Sequence, residues 1–315
     1  MKRYKYMERM IREIRELKEE VRRLSALVER LLPKENSESW CEWMASAIER
    51  AGIVQRTREN HRNCLRHLRA YDDSLRFVDV TSQLVERFEA YLYEQGYRVN
   101  TVTKQMKILR RYVNVALDDE LLASDPFRKW HGRAEPTGKA ALTERQLKKW
   151  EQFCADEAGT DEELLVARAF LFSSYTGLRF SDIKAVHYSD IRTIGRQKWL
   201  VMRMAKTKTE VRVPLSKMFG GRGLSLIRTR GRLFPDLPQN SRCNVLIKRI
   251  AKQLHIRKKL SFHCGRVTCA TILIHRGVPI TTIQQILGHR SIGTTQGYAH
   301  VTDSTVWKDV RRAWR

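Results

Sequence analysis

Acidic residues are few in this sequence relative to basic ones. Its 315 residues include 35 Asp and Glu against 60 Lys and Arg, which gives a formal net charge of +25. Such an excess causes self-repulsion in a folded chain, and a polyanionic partner would compensate for it. Nucleic acid is the default partner of that kind. Ribosomal and membrane-surface proteins share the bias, so the charge indicates a class of partner and no particular activity.

Long apolar runs and paired cysteines are also missing. No stretch approaches the roughly 20 apolar residues of a membrane span, and the charged N-terminus has no signal-peptide core. The six cysteines form no Cys-x-x-Cys pair, which favours free thiols in a reducing cytoplasm. Cys264 and Cys269 lie near His263, but their spacing matches no zinc pattern. We therefore expect no metal, no other cofactor and no membrane partner.

The N-terminal segment predicts a coiled coil. Residues 5–32 carry apolar side chains in a heptad pattern whose branched a positions and leucine-rich d positions favour a parallel two-stranded arrangement. Glu13 at a g position can reach Lys18 at an e position of a partner helix. An amphipathic helix folded back on its own chain is the alternative. The a positions are Met7, Ile14, Val21 and Val28, and the d positions are Met10, Leu17, Leu24 and Leu31.

Four short amphipathic helices are predicted after a hinge that follows Pro33. They run from Trp40 to Ala51, from Arg58 to Tyr71, from a cap at Thr81 to Gln95, and from a cap at Asn100 to about Asp118. The last of them has a basic side, which is a weak DNA-binding signal because a plain helical bundle would look the same. Its basic residues are Lys104, Lys107, Arg110 and Arg111.

The sequence predicts a mainly α chain in three parts. Residues 1–36 are the coiled coil and hinge, 37–131 the small helical domain, 132–141 a linker rich in Gly and Pro, and 142–315 a second domain. The second domain begins with a capping-box match between Thr143 and Gln146. It reads as mostly helical, with one β-hairpin over residues 198–215 around the basic turn Lys206-Thr-Lys-Thr.

The second domain also holds a series of separated motifs. Arg179 and Asp182 follow a glycine turn in Thr-Gly-Leu-Arg-Phe-Ser-Asp, and Lys206 lies in the hairpin. His263 and Arg266 are three residues apart on one helical face. Leu-Gly-His ends at His289, and Thr-Thr-Gln-Gly-Tyr ends at Tyr298 nine residues later. Each motif alone is common, whereas their order and spacing together are specific.

This set resembles the catalytic domain of the tyrosine recombinases, the phage-integrase family. The resemblance covers about residues 40–315 and is strongest over 176–301. It implies a SAM-like core-binding domain followed by a catalytic domain. Many members of the family carry an arm-site-binding domain where this sequence has the heptad segment, which departs from that pattern. The matching catalytic positions are Arg179, Lys206, His263, Arg266, His289 and Tyr298, with Asp182 as a supporting residue.

The resemblance implies a role for each of these residues. Arg179 and Arg266 would clamp a scissile phosphate, as paired guanidiniums can. Tyr298 would be the nucleophile, and His263 would accept its proton. Lys206 would protonate the leaving 5′-oxygen, with Lys208 as the alternative donor. His289 would donate a hydrogen bond to the phosphate.

The implied reaction is two transesterifications through a 3′-phosphotyrosyl link, with neither ATP nor metal. The partners would be double-stranded DNA with specific sites and, on two such sites, a homotetramer, with accessory proteins left open. The apolar tail Val301, Val306, Trp307, Val310 and Trp314 would pack on its own domain or on a neighbour. We expect a cytoplasmic protein encoded by a bacterium, a phage or another mobile element. The alternatives are a type IB topoisomerase-like enzyme that relaxes DNA, and a catalytically silent DNA-binding protein.

Overall fold

The computed structural model describes Met10 and residues 17–24, 39–135, 138, 140–298 and 310–311. The chain divides into two compact units, residues 1–137 and 138–315. Residues 17–24 are helical. The rest of the predicted coiled coil, apart from Met10, lies outside the described residues, as does the predicted apolar tail except for the exposed Val310.

The first unit contains four α-helices around one apolar core. They are α1 (Trp40–Arg50), α2 (Gln55–Tyr71), α3 (Ser82–Glu94) and α4 (Val99–Asp118). Ser39 and Thr81 cap α1 and α3 because their side-chain oxygens accept from the Glu42 and Leu84 amides. Trp40, Trp43 and Phe77 pack against one another with ring centroids 5.0–5.4 Å apart, which anchors the start of α1 in this core.

The start of α4 differs from the prediction. Asn100 lies inside the helix, whose N-cap is Arg98. The side-chain amide of Asn100 instead binds the backbone of Glu135: Nδ2 donates to Glu135 O at 2.8 Å, and Oδ1 accepts from Glu135 N at 3.0 Å. Asparagine caps helices because its side chain can bond to nearby backbone groups. Here that capacity serves a segment 35 residues away.

The second unit is helical around a small sheet. Its helices are α5 (Glu144–Ala155), α6 (Asp161–Thr176), α7 (Phe180–Ala185), α8 (Asn240–Gln253), α9 (His263–His275), α10 (Ile280–Leu287) and α11 (Ile292–Gln296). The predicted capping box between Thr143 and Gln146 is present at the start of α5. Helix α6 is buried along most of its length and packs against α5, α8 and α9. The mainly α fold with a small sheet is therefore confirmed.

The sheet has three antiparallel strands in the order β1-β2-β3. The predicted hairpin consists of β2 (Gln197–Arg203) and β3 (Glu210–Val213), with Leu200 opposite Val213. Strand β1 (Ile191–Ile194) adds an edge that the sequence did not predict. Its side chains are mostly exposed and show no alternation, so the usual period of two is absent.

Candidate active site

Two of the predicted residues lie where α6 turns into α7. Gly177 ends α6 with a φ of 73°, a left-handed conformation that glycine adopts without strain. Arg179 follows as the N-cap of α7, and its amide donates to Asp182 Oδ2 at 3.3 Å. The guanidinium of Arg179 points to the sheet, where Nη1 contacts Met204 Sδ at 3.2 Å. The tight turn thus directs Arg179 toward the end of β2.

Arg266 lies in the first turn of α9 and is fully buried. Its Nη1 donates to Gly177 O and its Nη2 to Leu287 O, both at 2.7 Å, so two ends of other helices orient it. Burial, followed by the nearby cation of Arg179, lowers the pKa of Arg266 to about 10. The electrostatic interaction with Tyr298, and after it a hydrogen bond with the Tyr298 hydroxyl, act in the opposite direction. At neutral pH the guanidinium therefore remains charged and next to Arg179.

His289 and Tyr298 stack on each other close to Arg266. Gly288 ends α10 with a φ of 60°, and the chain then reverses into the buried His289. The His289 and Tyr298 rings are nearly parallel, with centroids 5.8 Å apart. A hydrogen bond of 2.8 Å joins His289 Nδ1 to the hydroxyl of the buried Thr295 on α11. Tyr298 is 5% exposed and interacts with Arg266, which lies next to Arg179; these two arginines form the arginine cluster.

Lys206 lies in the turn between β2 and β3, and its side chain is exposed. The preceding residue ties this turn to the arginine cluster, since the Ala205 amide donates to Asp182 Oδ1 at 2.9 Å. Asp182 is fully buried. Its two carboxylate oxygens accept from the Arg179 and Ala205 amides, so it bridges Arg179 and the turn. Lys208, the alternative donor, is also exposed and has a φ of 58°. His263 is the exposed first residue of α9, one turn before Arg266.

The structure therefore joins Arg179, Arg266, His289 and Tyr298 in one cluster, and Asp182 links the Lys206 turn to it. Three further contacts were not expected from the sequence: Thr295 with His289, Met204 with Arg179, and Arg290 with the Lys206 turn. The repeated threonine before Tyr298 could have indicated Thr295. No pattern in the sequence indicates the other two contacts.

The basic residues of each unit fall into two groups, those that are exposed and those that form ion pairs. On α4, Lys104, Lys107 and Arg111 are exposed. Arg110 instead forms an ion pair, with 3.9 Å between its Nη2 and Asp125 Oδ2. On α8, Arg242 and Arg249 form ion pairs with Glu162 and Glu163 of α6. Basic residues near the end of α8 line an open cleft of about 850 Å³, namely Lys248, Lys252, His255, Arg257, Lys258 and Lys259.

Two absences hold for the part of the chain that the structure describes. No helix there is long and apolar enough to cross a membrane. In the same residues, no group of three or more His, Cys, Asp or Glu side chains is arranged to hold a metal ion. The six cysteines are all buried and free.

Comparison with known proteins matches both units to family models. Residues 140–305 match the phage integrase family, and residues 39–132 match the phage integrase SAM-like domain. The tyrosine recombinase XerC of Halalkalibacterium halodurans is 27% identical over 277 residues, covering 80% of this chain and 89% of XerC. The tyrosine recombinase XerD of Pseudomonas aeruginosa is 28% identical over 269 residues, covering 79% of this chain and 88% of XerD.

Solved structures show the same fold. An integrase of the Tn1549 transposon in complex with a circular intermediate DNA superimposes with a TM-score of 0.69 at 18% identity, covering 88% of this chain and 100% of that one. A lambda integrase tetramer bound to a Holliday junction has a TM-score of 0.69 at 17% identity, covering 88% of this chain and 82% of that one.

Proposed function

The chain belongs to the phage integrase family, and we propose that it is a site-specific tyrosine recombinase that breaks and rejoins DNA through a 3′-phosphotyrosyl link at Tyr298. One observation carries the proposal. The Tyr298 hydroxyl is hydrogen-bonded to Arg266, beside Arg179 and against the His289 ring. A nucleophile, two cations and an imidazole from four separate segments meet there, as attack on a phosphodiester requires.

Arg179 and Arg266 form the phosphate clamp in this proposal. A phosphodiester gains negative charge in the transition state, and fixed cations that already face it stabilise that charge without reorganisation. Gly177 O and Leu287 O hold the guanidinium of Arg266 in place, and Asp182 fixes the backbone at Arg179. These contacts support a clamp that is formed before DNA binds.

Tyr298 Oη attacks the scissile phosphorus as the bond from phosphorus to O5′ breaks. His263 accepts the phenolic proton and Lys206 gives a proton to O5′, so a neutral 5′-hydroxyl leaves. His289 donates a hydrogen bond to a phosphate oxygen from Nε2, in the tautomer where the Thr295 hydroxyl donates to Nδ1. The 5′-hydroxyl of a partner strand then reverses these steps. The bond energy is kept in the covalent link, so the reaction needs no ATP.

DNA is a polyanion that would compensate the net charge of +25. We propose that Lys104, Lys107 and Arg111 contact its phosphates, with Arg110 beside them, because they are exposed on one side of α4. In the second unit, we propose that Lys208 and the basic cleft at the end of α8 also contact DNA phosphates. Arg242 and Arg249 are already neutralised by Glu162 and Glu163, so they serve the packing of α8 on α6.

We propose a homotetramer on two DNA sites, as in the lambda integrase tetramer on a Holliday junction. The N-terminal helix would add a dimer contact. The exposed fractions of Leu17, Val21 and Leu24 are 61%, 59% and 56%, although all three are apolar heptad positions. Their exposure supports burial against a second copy. We place the protein in the bacterial cytoplasm, where its DNA would be, and assign its gene to a bacterium, a phage or another mobile element.

The experiment uses nicked suicide substrates that carry DNA from the gene's own neighbourhood, with EDTA present. Wild type and Tyr298→Phe are compared, and Tyr91→Phe, a tyrosine of the first unit, is the matched control. A protein–DNA adduct that survives denaturation is expected with wild type and Tyr91→Phe and is lost with Tyr298→Phe, while binding is kept by all three.

If wild type binds a genuine site without forming an adduct, the chain is a silent DNA-binding protein. If wild type forms the adduct but rejoins only the strand that it cut, it acts as a topoisomerase. An adduct that persists in Tyr298→Phe would show that another residue is the nucleophile.

A further inference from the structure

The turn that carries Lys206 is held from two sides. On one side the Ala205 amide donates to Asp182 Oδ1 at 2.9 Å. On the other side Arg290 Nη2 donates to Thr207 O at 2.8 Å. Lys206 is the residue between these two anchor points. The first anchor belongs to the arginine cluster, and the second belongs to the residue that directly follows His289.

The two anchors are needed because the lysine itself is poorly restrained. Its side chain is exposed at the tip of the turn, and a lysine has four rotatable bonds that must be fixed before it can give a proton to one oxygen. Within the turn, Met204 N donates to Thr209 O and Lys208 N to Met204 O, which closes the loop but does not direct it. The Thr209 hydroxyl approaches Thr207 O only to 3.5 Å.

We infer that Arg290 is a positioning residue for Lys206. Its guanidinium fastens the lysine turn to the segment that carries His289, so that the proton donor and the phosphate-binding imidazole face the same phosphodiester. The inference rests on the proposed function, because only a reaction with a poor leaving group needs the lysine. Arg290 is not a catalytic residue in this scheme, since it acts through the backbone at Thr207.

An exposed basic residue next to an active site could also bind a DNA phosphate. The contact with Thr207 O favours the positioning role, because a charged group donating to a neutral carbonyl forms a strong hydrogen bond. The two roles differ in the step that they assist. A phosphate contact assists binding and every step on the bound DNA, whereas a positioning contact assists only the protonation of O5′.

The test replaces the scissile O5′ with sulfur. A thiolate leaves readily because a thiol is a far stronger acid than an alcohol, as the cysteine pKa of about 8.5 illustrates, so the bond from phosphorus to sulfur breaks without a proton donor. Single-turnover formation of the covalent adduct is measured on oxygen and sulfur substrates at saturating protein. The variants are Arg290→Ala, Arg290→Lys and Lys206→Ala. Arg168→Ala is the control, since Arg168 is a partly exposed arginine of the same unit that pairs with Glu157 at 3.3 Å.

With the oxygen substrate, Arg290→Ala is expected to be about 10- to 100-fold slower than wild type, the effect of a misplaced catalytic group. Lys206→Ala is expected to lose about 10²- to 10⁴-fold, the range of general acid catalysis. With the sulfur substrate both return to within a few-fold of wild type. Arg290→Lys keeps one donor and falls between wild type and Arg290→Ala, and Arg168→Ala matches wild type on both substrates.

Equal slowing of Arg290→Ala on both substrates would overturn the inference and make Arg290 a phosphate contact. Wild-type rates of Arg290→Ala on both substrates would also overturn it. If Lys206→Ala is rescued by sulfur and Arg290→Ala is not, the lysine is the acid and Arg290 does not position it. If wild type forms no adduct on either substrate, the proposed function itself has failed.

Discussion

Arg266 is a large charged side chain with no exposed surface. Burying an unpaired charge costs several kcal/mol, and among the described residues no carboxylate is paired with it. Two main-chain carbonyls accept from its Nη1 and Nη2 and the Tyr298 hydroxyl is a further partner, whereas its buried Nε has no hydrogen-bond partner among those residues. The neighbouring Arg179 adds repulsion, which lowers the pKa further. A phosphate between the two arginines would relieve both costs, so the site is better suited to hold an anion than to remain empty.

At the same scale, Thr295→Val tests how His289 is oriented. Valine keeps the shape and removes the hydroxyl that lies 2.8 Å from Nδ1. We expect cleavage to slow by about 10- to 100-fold because the imidazole loses its fixed orientation. Leaving a buried polar group unpaired should also cost about 1–3 kcal/mol of stability.

Single-turnover cleavage and thermal unfolding measure these two effects. Thr294→Val is the matched control, because the neighbouring threonine is exposed. If Thr295→Val cleaves as fast as wild type while His289→Ala is slow, the hydroxyl does not orient the imidazole.

At the scale of elements, the close approach of β2, β3 and α10 determines where the residues of the site lie. A Cβ atom on Gly288 would lie 2.5 Å from Met204 Sδ and 2.7 Å from Val211 Cγ1. Since Met204 also contacts Arg179, the end of α10 packs on the same side chain that supports the proposed phosphate clamp. The sheet is short, but its hairpin supplies the contact surface for the helix ends that carry Arg179 and His289.

In the first unit, α2 and α4 are joined by a buried hydrogen bond of 2.7 Å between His61 Nδ1 and Tyr112 Oη. Burial, and then the cations of Arg111 and Lys104, lower the pKa of His61 below its ordinary value of 6.5. The unfolded chain therefore binds a proton more readily than the folded one as the pH falls through about 6.5. We expect α2 and α4 to be most stable above that pH and to lose stability below it.

Hydrogen exchange of α2 and α4 at pH 7.5 and pH 5.5, corrected for intrinsic rates, measures this loss. His61→Gln keeps a partner for Tyr112 without titrating, so its pH dependence should be shallower. The remaining slope belongs in part to His67, whose pKa burial also lowers. An unchanged slope in His61→Gln would show that His61 does not govern it.

At the scale of the whole molecule, the N-terminal helix has no described intrachain contact that covers its apolar positions Leu17, Val21 and Leu24. We expect deletion of residues 1–36 to lower the association state in sedimentation velocity without DNA, while cleavage of a single site persists. Leu17→Glu combined with Leu24→Glu should have the same effect, because charges at d positions disrupt a two-stranded seam.

Arg22→Ala, at an outward heptad position, is the control and should associate as wild type does. Unchanged oligomerisation and unchanged synapsis after the deletion would refute the dimer contact and leave the helix to another role.

Much of the fold could be predicted because its signals are local. Caps such as Thr81 and Thr143 bond to amides within a turn, and the 3.6-residue spacing of apolar side chains marks the buried face of each helix. The family could be predicted from the order of its motifs, and that prediction is confirmed. Strand β1 was missed because it is an exposed edge without alternation.

The sequence by itself determined the helices of the first unit, the mostly helical character of the second, the hairpin, the charge and the family, since each depends on residue types at short or regular spacing. Only the tertiary structure decided which atoms meet. Arg290 and Thr207 are 83 residues apart, Arg266 and Gly177 are 89 apart, and Asn100 holds Glu135 instead of capping its helix. Such contacts depend on the path of the chain through the core. No periodicity or local propensity encodes that path, so these partners had to be read from the folded molecule.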